Sequence, residues 1–232
     1  NKLNQLITHI KSEGMYCEIV TNGMLIRKRV KDWPELKMVD SFSVSLDGNK
    51  YSHDKIRGKD NFEKVVDGIM CLIENKLPVR MHGAFSHEAF DQKAKPHEFM
   101  ANLSNEFNIP FNIATYCSNP MKTNEDEENK KSFRNGQTLY NDLLVWKKSG
   151  VPVSTTIEVL EKGIKWFDKT NQYIIYGDES KIPNGHKKCM AGITNCFIDS
   201  DGKMYICIPN WGKGIDVYEH GVKKAYEYMV NK

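Results

Sequence analysis

The chain has 232 residues, of which 40% are hydrophobic and 27% charged, enough to bury a sizeable core beneath a polar surface. Its net charge is +3 with interspersed basic and acidic residues, which argues against nucleic-acid binding and against a polybasic membrane patch. No apolar stretch reaches the roughly 20 residues of a membrane span. Six cysteines without a signal-peptide pattern favour reduced thiols or metal ligands in a cytoplasmic protein.

The first half of the sequence alternates between helical and strand patterns. Leu3, Ile7 and Ile10 have helical spacing that stops at Gly14, so the chain opens in an amphipathic helix and we expect its beginning to be missing. Short apolar runs at 17–21, 41–46, 79–85 and 111–115 predict four strands. Between them, apolar spacing predicts a helix around 62–73, with an Asp60–Glu63 capping box, and another around 99–107. This alternation predicts βαβ units and a parallel sheet or barrel.

The second half has a different organisation. Residues 118–136 are polar and charged and predict an exposed loop, followed by helices around 139–148 and 155–167. Residues 196–207 predict a β-hairpin that turns through Ser200-Asp201-Gly202, and a short helix around 218–229 closes the chain. We therefore expect an α/β part over 1–117, a helical linker region over 118–185 and a small hairpin-and-helix cap over 186–232.

The second predicted strand has one polar and one apolar face, because strand side chains alternate. The polar face holds Ser41, Ser43, Ser45 and Asp47, and the apolar face holds Phe42, Val44 and Leu46. In a barrel wrapped by helices, the apolar set packs outward and the polar set points into the lumen. A polar ligand could then supply the hydrogen-bond partners that buried hydroxyls need, although the serines could equally bond one another or trapped water.

Two strand ends carry short polar side chains beside a glycine. They read Thr21-Asn22-Gly23 and Ser45-Leu46-Asp47-Gly48. Ligands bind at the carboxyl ends of the strands in parallel α/β folds. Taken alone, Asn-Gly and Asp-Gly are also ordinary turn sequences. Arg80 and His82, on one face of the third strand, are weaker candidates.

Together, Thr21-Asn22-Gly23, Ser43-Val-Ser-Leu-Asp-Gly48 and His53-Asp-Lys-Ile-Arg57-Gly58 resemble radical S-adenosylmethionine (AdoMet) enzymes, especially their peptide-modifying branch. The resemblance implies a partial (β/α)6 TIM-like barrel, of which residues 1–117 hold strands 3–6. It also implies that polar strand-end residues bind AdoMet, with Ser43 or Ser45 bonded to it and Arg57 paired with its carboxylate. A guanidinium fork suits that task. The implied cofactor-binding residues are Asn22, Ser43, Ser45, Asp47 and Arg57.

The C-terminal segment carries a second resemblance. Cys189, Gly202 and Cys207 have a spacing similar to the opening of the SPASM and twitch extensions of this branch. That similarity implies an auxiliary iron–sulfur cluster with Cys189 and Cys207 as metal ligands, although Cys196 does not fall on a usual ligand position. Two alternatives stay open: hairpin cysteines packed as small apolar residues, or a zinc site that adds His186 and Cys196.

The sequence lacks the cysteine motif that holds the catalytic iron–sulfur cluster in the family it resembles. Radical AdoMet enzymes hold a 4Fe–4S cluster through Cys-x-x-x-Cys-x-x-Cys, and the six cysteines here include no such spacing. The glycine-rich segment that takes the AdoMet amino group is also absent. We interpret this as truncation: the cluster ligands and about two strands would lie outside this chain, which alone would be inactive.

The resemblance implies a reaction for the parent enzyme. It would cleave AdoMet reductively at the cluster and abstract a hydrogen atom from a peptide or small-molecule substrate, with flavodoxin or ferredoxin as electron donor. The alternative is a non-catalytic relative that serves as a peptide- or partner-binding module. Neither implies a nucleic acid or a membrane as partner.

Overall fold

The computed structural model describes residues 2–85, 95–115, 127–169, 195–206 and 214–230. The chain forms two compact units, Asn1–Pro183 and Asn184–Lys232. The elements of the first are α1 (Lys2–Ser12), β1 (Glu18–Thr21), α2 (Ile26–Asp32), a 3-10 helix (Pro34–Met38), β2 (Ser41–Ser45), α3 (Lys50–Arg57), α4 (Phe62–Glu74), β3 (Val79–Phe85), α5 (Pro96–Phe107), β4 (Phe111–Thr115), α6 (Glu127–Lys148) and α7 (Ile157–Lys169). The elements of the second are β5 (Phe197–Ile198), β6 (Lys203–Tyr205), β7 (Ile215–Asp216) and α8 (Val217–Val230).

A four-stranded parallel sheet organises the first unit, in the order β1-β2-β3-β4. All four predicted strands are present, and β3 and β4 have the predicted bounds. The α/β class and the parallel sheet are therefore confirmed, whereas closure into a partial barrel stays a prediction. None of the described helices is both long and apolar enough to cross a membrane.

The two faces of the sheet differ as the alternation in β2 predicts. Val44, Met81 and Phe111 lie side by side across three strands, each 0% exposed, within the core that the helices also enter. The opposite face is polar. There the Arg80 guanidinium donates to both carboxylate oxygens of Glu18, at 2.7 and 3.1 Å.

The polar face continues across the sheet. His82 Nδ1 lies 2.9 Å from Asn112 Oδ1 on the neighbouring strand. Ser43 and Ser45 stand beside Arg80 and His82 in register, and both serines are buried. Leu139, Leu143 and Leu160 of α6 and α7 are buried in the same core as the sheet, so the first unit includes part of the predicted linker region.

The predicted capping box at the start of α4 is wrong. Asp60 has a left-handed backbone (φ 62°), and Glu63 pairs with Lys50 instead. The carboxylate of Asp54 accepts the amides of Asp60, Asn61 and Phe62 at 3.2, 3.1 and 2.8 Å. Desolvation raises the pKa of Asp54, but these three hydrogen bonds outweigh it and leave the pKa below its usual value. A side chain on the preceding helix therefore satisfies the free amides of α4.

The predicted helix boundaries need further corrections. Helix α6 begins at Glu127, so residues 127–136 are helical where we predicted an exposed loop. Acidic residues in that stretch resemble a linker in composition but also suit the first turns of a helix. The sequence pattern also missed α2, α3 and the 3-10 helix, since segments of five to eight residues are too short to show helical periodicity.

The second unit contains the predicted hairpin. β5 and β6 pair antiparallel, with Gly202 at φ 78° in the turn, and a third strand, β7, pairs with β6. Met204, Ala225 and Met229 form a small core between this sheet and α8. The predicted hairpin is confirmed. The predicted final helix is present but is kinked at Gly221, whose φ of 74° and ψ of 152° are not helical, and the two-residue β7 was not foreseen.

Substitution of Gly68 should test the packing of α4 against the turn after β1. A Cβ at Gly68 would lie 2.3 Å from the Gly23 carbonyl oxygen, and backbone cannot rotate aside. Gly68→Ala should lower the free energy of unfolding by up to about 2 kcal/mol, because overpacking costs about 1–3 kcal/mol and the gain in helix propensity offsets about 1 kcal/mol of it. Urea unfolding measures the change, with the exposed Lys64→Ala on the same helix as control. A more stable Gly68→Ala variant would contradict the packing described here.

Candidate active site

A cleft of about 370 Å³ lies beside the carboxyl end of β1, between α3 and the start of α4. Its lining combines polar and apolar side chains: Asn22, Met24, His53, Ile56, Arg57, Asn61 and Val65. The cleft therefore occupies the edge of the sheet at which parallel α/β folds bind ligands.

The turn after β1 presents Asn22 to this cleft. Gly23 has φ 79°, and a Cβ there would lie 2.8 Å from Val44 Cγ1, so a glycine fits this turn best. The Thr21 hydroxyl accepts the Gly23 amide at 3.1 Å, and Asn22 Oδ1 accepts the Met24 amide at 3.2 Å. With Oδ1 used by the backbone, the Asn22 side chain offers its amide hydrogens to a ligand.

Asp47 joins three elements behind the cleft. Its carboxylate is 0% exposed, and Oδ1 accepts the Ala84 amide of β3 at 2.8 Å. Oδ2 accepts a hydrogen bond from Nε of Arg57 on α3. The backbone amide of Asp47 donates to Nδ1 of His53, also on α3, at 3.1 Å. Asp47 thus fixes α3 to the ends of β2 and β3.

Arg57 stands at the last position of α3 with a third of its side chain exposed. Because the contact with Asp47 uses Nε, the two terminal nitrogens stay oriented for a second anion. The backbone after Arg57 is also fixed, since its carbonyl accepts Asn61 Nδ2 at 2.7 Å. A guanidinium held in this way is suited to bind a carboxylate.

His53 is buried beside Asp47, whose backbone amide it accepts. Desolvation lowers the pKa of His53, and Arg57 lowers it further, against the opposing effect of the Asp47 and Asp54 carboxylates. The ring is therefore neutral near pH 7. The His53 and Phe62 rings make a T-shaped contact, with their centroids 6.2 Å apart.

The structure brings some of the predicted site residues together and separates others. Asn22 and Arg57 line the cleft, and Asp47 supports it through Arg57. Ser43 and Ser45 lie on the polar face of the sheet and are not part of the cleft lining. Of the cap residues, Cys189 and Cys207 lie outside the described part of the chain, and Cys196 is exposed. Among the described residues, no group of three His, Cys, Asp or Glu side chains could hold a metal ion.

His53 stands in one of the motifs that resemble the family, but no role for it followed from the sequence. Its position four residues before Arg57 places both side chains on the same face of α3. That spacing could have identified His53, but the helix itself was not predicted.

Acidification should lower stability through the buried histidines. Burial lowers the pKa of both His53 and His97 below the usual 6.5. The two neutral histidines stabilise the folded state fully above pH 6.5. This stabilisation is lost as the pH falls from 6.5 towards their folded-state pKa, because the unfolded chain then binds more protons than the folded chain. We expect the free energy of unfolding in urea to fall between pH 7.5 and 5.5, and less steeply in His53→Asn. Equal stability at both pH values would contradict neutral buried histidines.

No family model matches the chain, but two curated proteins do. An AdoMet-dependent heme synthase of Methanosarcina barkeri (strain Fusaro / DSM 804) is 24% identical over 206 residues, covering 84% of this chain and 55% of the relative. A cysteine-type anaerobic sulfatase-maturating enzyme of Clostridium novyi (strain NT) is 25% identical over 203 residues, covering 84% of this chain and 50% of the relative.

Solved structures share the fold. Streptococcus suis SuiB bound to S-adenosylmethionine has a TM-score of 0.63 at 15% identity, covering 96% of this chain and 50% of that one. The enzyme anSMEcpe with bound AdoMet and the Kp18Cys peptide has a TM-score of 0.57 at 18% identity, covering 92% of this chain and 57% of that one. These similarities support the resemblance to radical AdoMet enzymes, and the solved structures show the shared fold. The chain spans about half the length of the two curated relatives it matches.

Proposed function

We propose that this chain supplies the AdoMet-binding strand ends of a radical AdoMet enzyme. The observation that carries the proposal is the arrangement of Arg57. Asp47 holds it through Nε, and among the described residues no hydrogen bond engages its two terminal nitrogens. In this assignment Arg57 binds the methionyl carboxylate of AdoMet. Asn22 adds an amide donor, and Asp47 positions Arg57.

The chemistry of the cleft supports an amphipathic ligand. Its polar part is rich in donors, from Asn22 and Arg57, and suits an anionic end group. Its apolar part, formed by Met24, Ile56 and Val65, suits the hydrocarbon part of a methionyl chain. Ser43 and Ser45, on the adjoining polar face, would bind a part of AdoMet beyond the cleft or a substrate.

The residues of this chain do not fit the catalytic cluster. Its six cysteines lack the Cys-x-x-x-Cys-x-x-Cys spacing, and the described residues offer no alternative set of ligands. We therefore propose that the cluster ligands lie outside this chain. The residues described here bind and orient AdoMet and exclude water from it.

The reaction proposed for the whole protein is hydrogen-atom abstraction from a substrate, initiated by reductive AdoMet cleavage with electrons from a flavodoxin or ferredoxin. The peptide bound to anSMEcpe supports a peptide as substrate class. Residues 186–232 are proposed as a twitch- or SPASM-like cap, in which Cys189 and Cys207 would bind an auxiliary cluster.

Calorimetric titration of the full chain with AdoMet tests the proposed function. We expect saturable binding of one AdoMet per chain, weakened when methylthioadenosine, which lacks the amino-acid part, replaces AdoMet. A folded chain that binds neither compound would contradict the proposal and favour the non-catalytic binding module. A titration with a cysteine-containing peptide would then test that alternative.

A further inference from the structure

The imidazole of His53 has a fixed tautomer. A backbone amide can only donate, so the 3.1 Å contact with the Asp47 amide makes Nδ1 the acceptor. The buried ring is neutral, and its one proton must therefore be on Nε2. His53 Nε2–H is a hydrogen-bond donor by necessity.

This donor has no hydrogen-bond partner among the described residues. Nε2 is buried, and His53 as a whole is 0% exposed. A buried donor without a partner is unfavourable, and proteins seldom retain one without a reason. His53 also lines the cleft, so a ligand whose binding brings an acceptor atom to Nε2 would satisfy this donor.

The neighbouring groups indicate which ligand chemistry fits. The terminal nitrogens of Arg57 and the side-chain amide of Asn22 are donors in the same cleft. His53, Arg57 and Asn22 therefore supply hydrogen-bond donors from two positions of α3 and one turn. These donors favour a ligand group with several acceptor oxygens, such as a carboxylate.

We propose that His53 Nε2–H binds an oxygen of the ligand carboxylate, as a second protein donor beside Arg57. This inference rests on the proposed function, in which that carboxylate belongs to AdoMet. His53 then has two tasks on opposite sides of its ring: Nδ1 holds the turn at Asp47, and Nε2 contacts the ligand.

Two substitutions separate these tasks. In His53→Asn, the side-chain oxygen lies near the position of Nδ1 and can accept the Asp47 amide, but the Nε2 donor is lost. In His53→Gln, the side-chain amide reaches the position of Nε2 and can donate, but the Nδ1 acceptor is lost. A merely structural histidine would make His53→Asn the milder change, and a ligand-binding histidine would make His53→Gln the milder change for binding.

The experiment measures the Kd for AdoMet by calorimetry at pH 7.5, with circular dichroism to establish folding. We expect His53→Asn to raise the Kd about tenfold or more, as the loss of a buried hydrogen bond to a charged group implies, and His53→Gln to stay within about threefold of wild type. The effect of His53→Asn should vanish for methylthioadenosine, which lacks the carboxylate. The reverse order of the two variants would overturn the proposal.

A measurement on the unsubstituted chain covers the case in which a variant does not fold. Nitrogen-15 NMR of labelled histidine should show the Nε2–H tautomer of His53 in the free chain, and AdoMet should shift the Nε2 resonance. An unchanged resonance at saturating AdoMet would overturn the role of His53 and leave the proposed function intact. A wild-type chain that does not bind AdoMet would overturn both.

Discussion

Replacement of Arg57 by methionine should raise the Kd for AdoMet by about 100-fold, because it removes the guanidinium that binds the methionyl carboxylate in the proposed function. Loss of one partner of a buried, charge-assisted pair weakens binding by about 2–5 kcal/mol, and Arg57 is partly exposed, which favours the lower half of that range. Calorimetric titration of the folded variant with AdoMet measures the change.

Arg27→Met is the matched control for the loss of an arginine. Arg27 contacts Asp67 and Glu74 of α4 on the exposed surface, and it does not line the cleft. Arg27→Met should leave the Kd within about twofold, since exposed ion pairs contribute little. Equal Kd values for Arg57→Met and wild type would contradict the assignment of the cleft, even if AdoMet binds elsewhere.

Replacement of Asp47 by alanine should lower the free energy of unfolding by about 3 kcal/mol. The fully buried carboxylate satisfies the Ala84 amide and the Arg57 guanidinium, and both lose their partner. Each buried group left without a partner costs about 1–3 kcal/mol, discounted for Arg57 because it is partly exposed. Urea unfolding measures this change, and AdoMet titration should show weaker binding because Arg57 is no longer oriented.

Asp47→Asn separates the two contacts. Its side-chain oxygen can still accept the Ala84 amide, so we expect about half of the stability loss of Asp47→Ala, while the ion pair with Arg57 is lost in both variants. A change below about 0.5 kcal/mol in Asp47→Ala would contradict the bridging role, since surface substitutions typically fall within that limit.

The sheet could be predicted from the sequence because its signals are local. The alternation of serines with Phe42, Val44 and Leu46 divides β2 into two faces, and every second residue of β3 is buried. The cap of α4 could not be found in the same way. Asp60 and Glu63 have the spacing of a capping box, but Asp54 reaches the same amides from the preceding helix, and that contact depends on how α3 meets α4.

The site was predictable in its residue types and less so in their tasks. Asn22 and Arg57 were found through motifs, and both line the cleft. Asp47 was expected to bind the cofactor directly, whereas its carboxylate is enclosed by Ala84 and Arg57. His53 was not assigned because its tautomer follows from a hydrogen bond to the Asp47 amide, which no sequence pattern expresses.

The hydrogen bonds between Asp54 and the start of helix α4 also affect the entropy of ligand binding at Arg57. Asp54 and Arg57 lie one turn apart on α3, so the three amides held by Asp54 restrict the backbone that carries Arg57. Ordering one free backbone residue costs about 1–2 kcal/mol, and a long side chain adds up to about 2 kcal/mol. Because folding already orders most of the Arg57 backbone, the carboxylate of the proposed function would bind without this entropic cost, and its ion pair with Arg57 would contribute more to affinity.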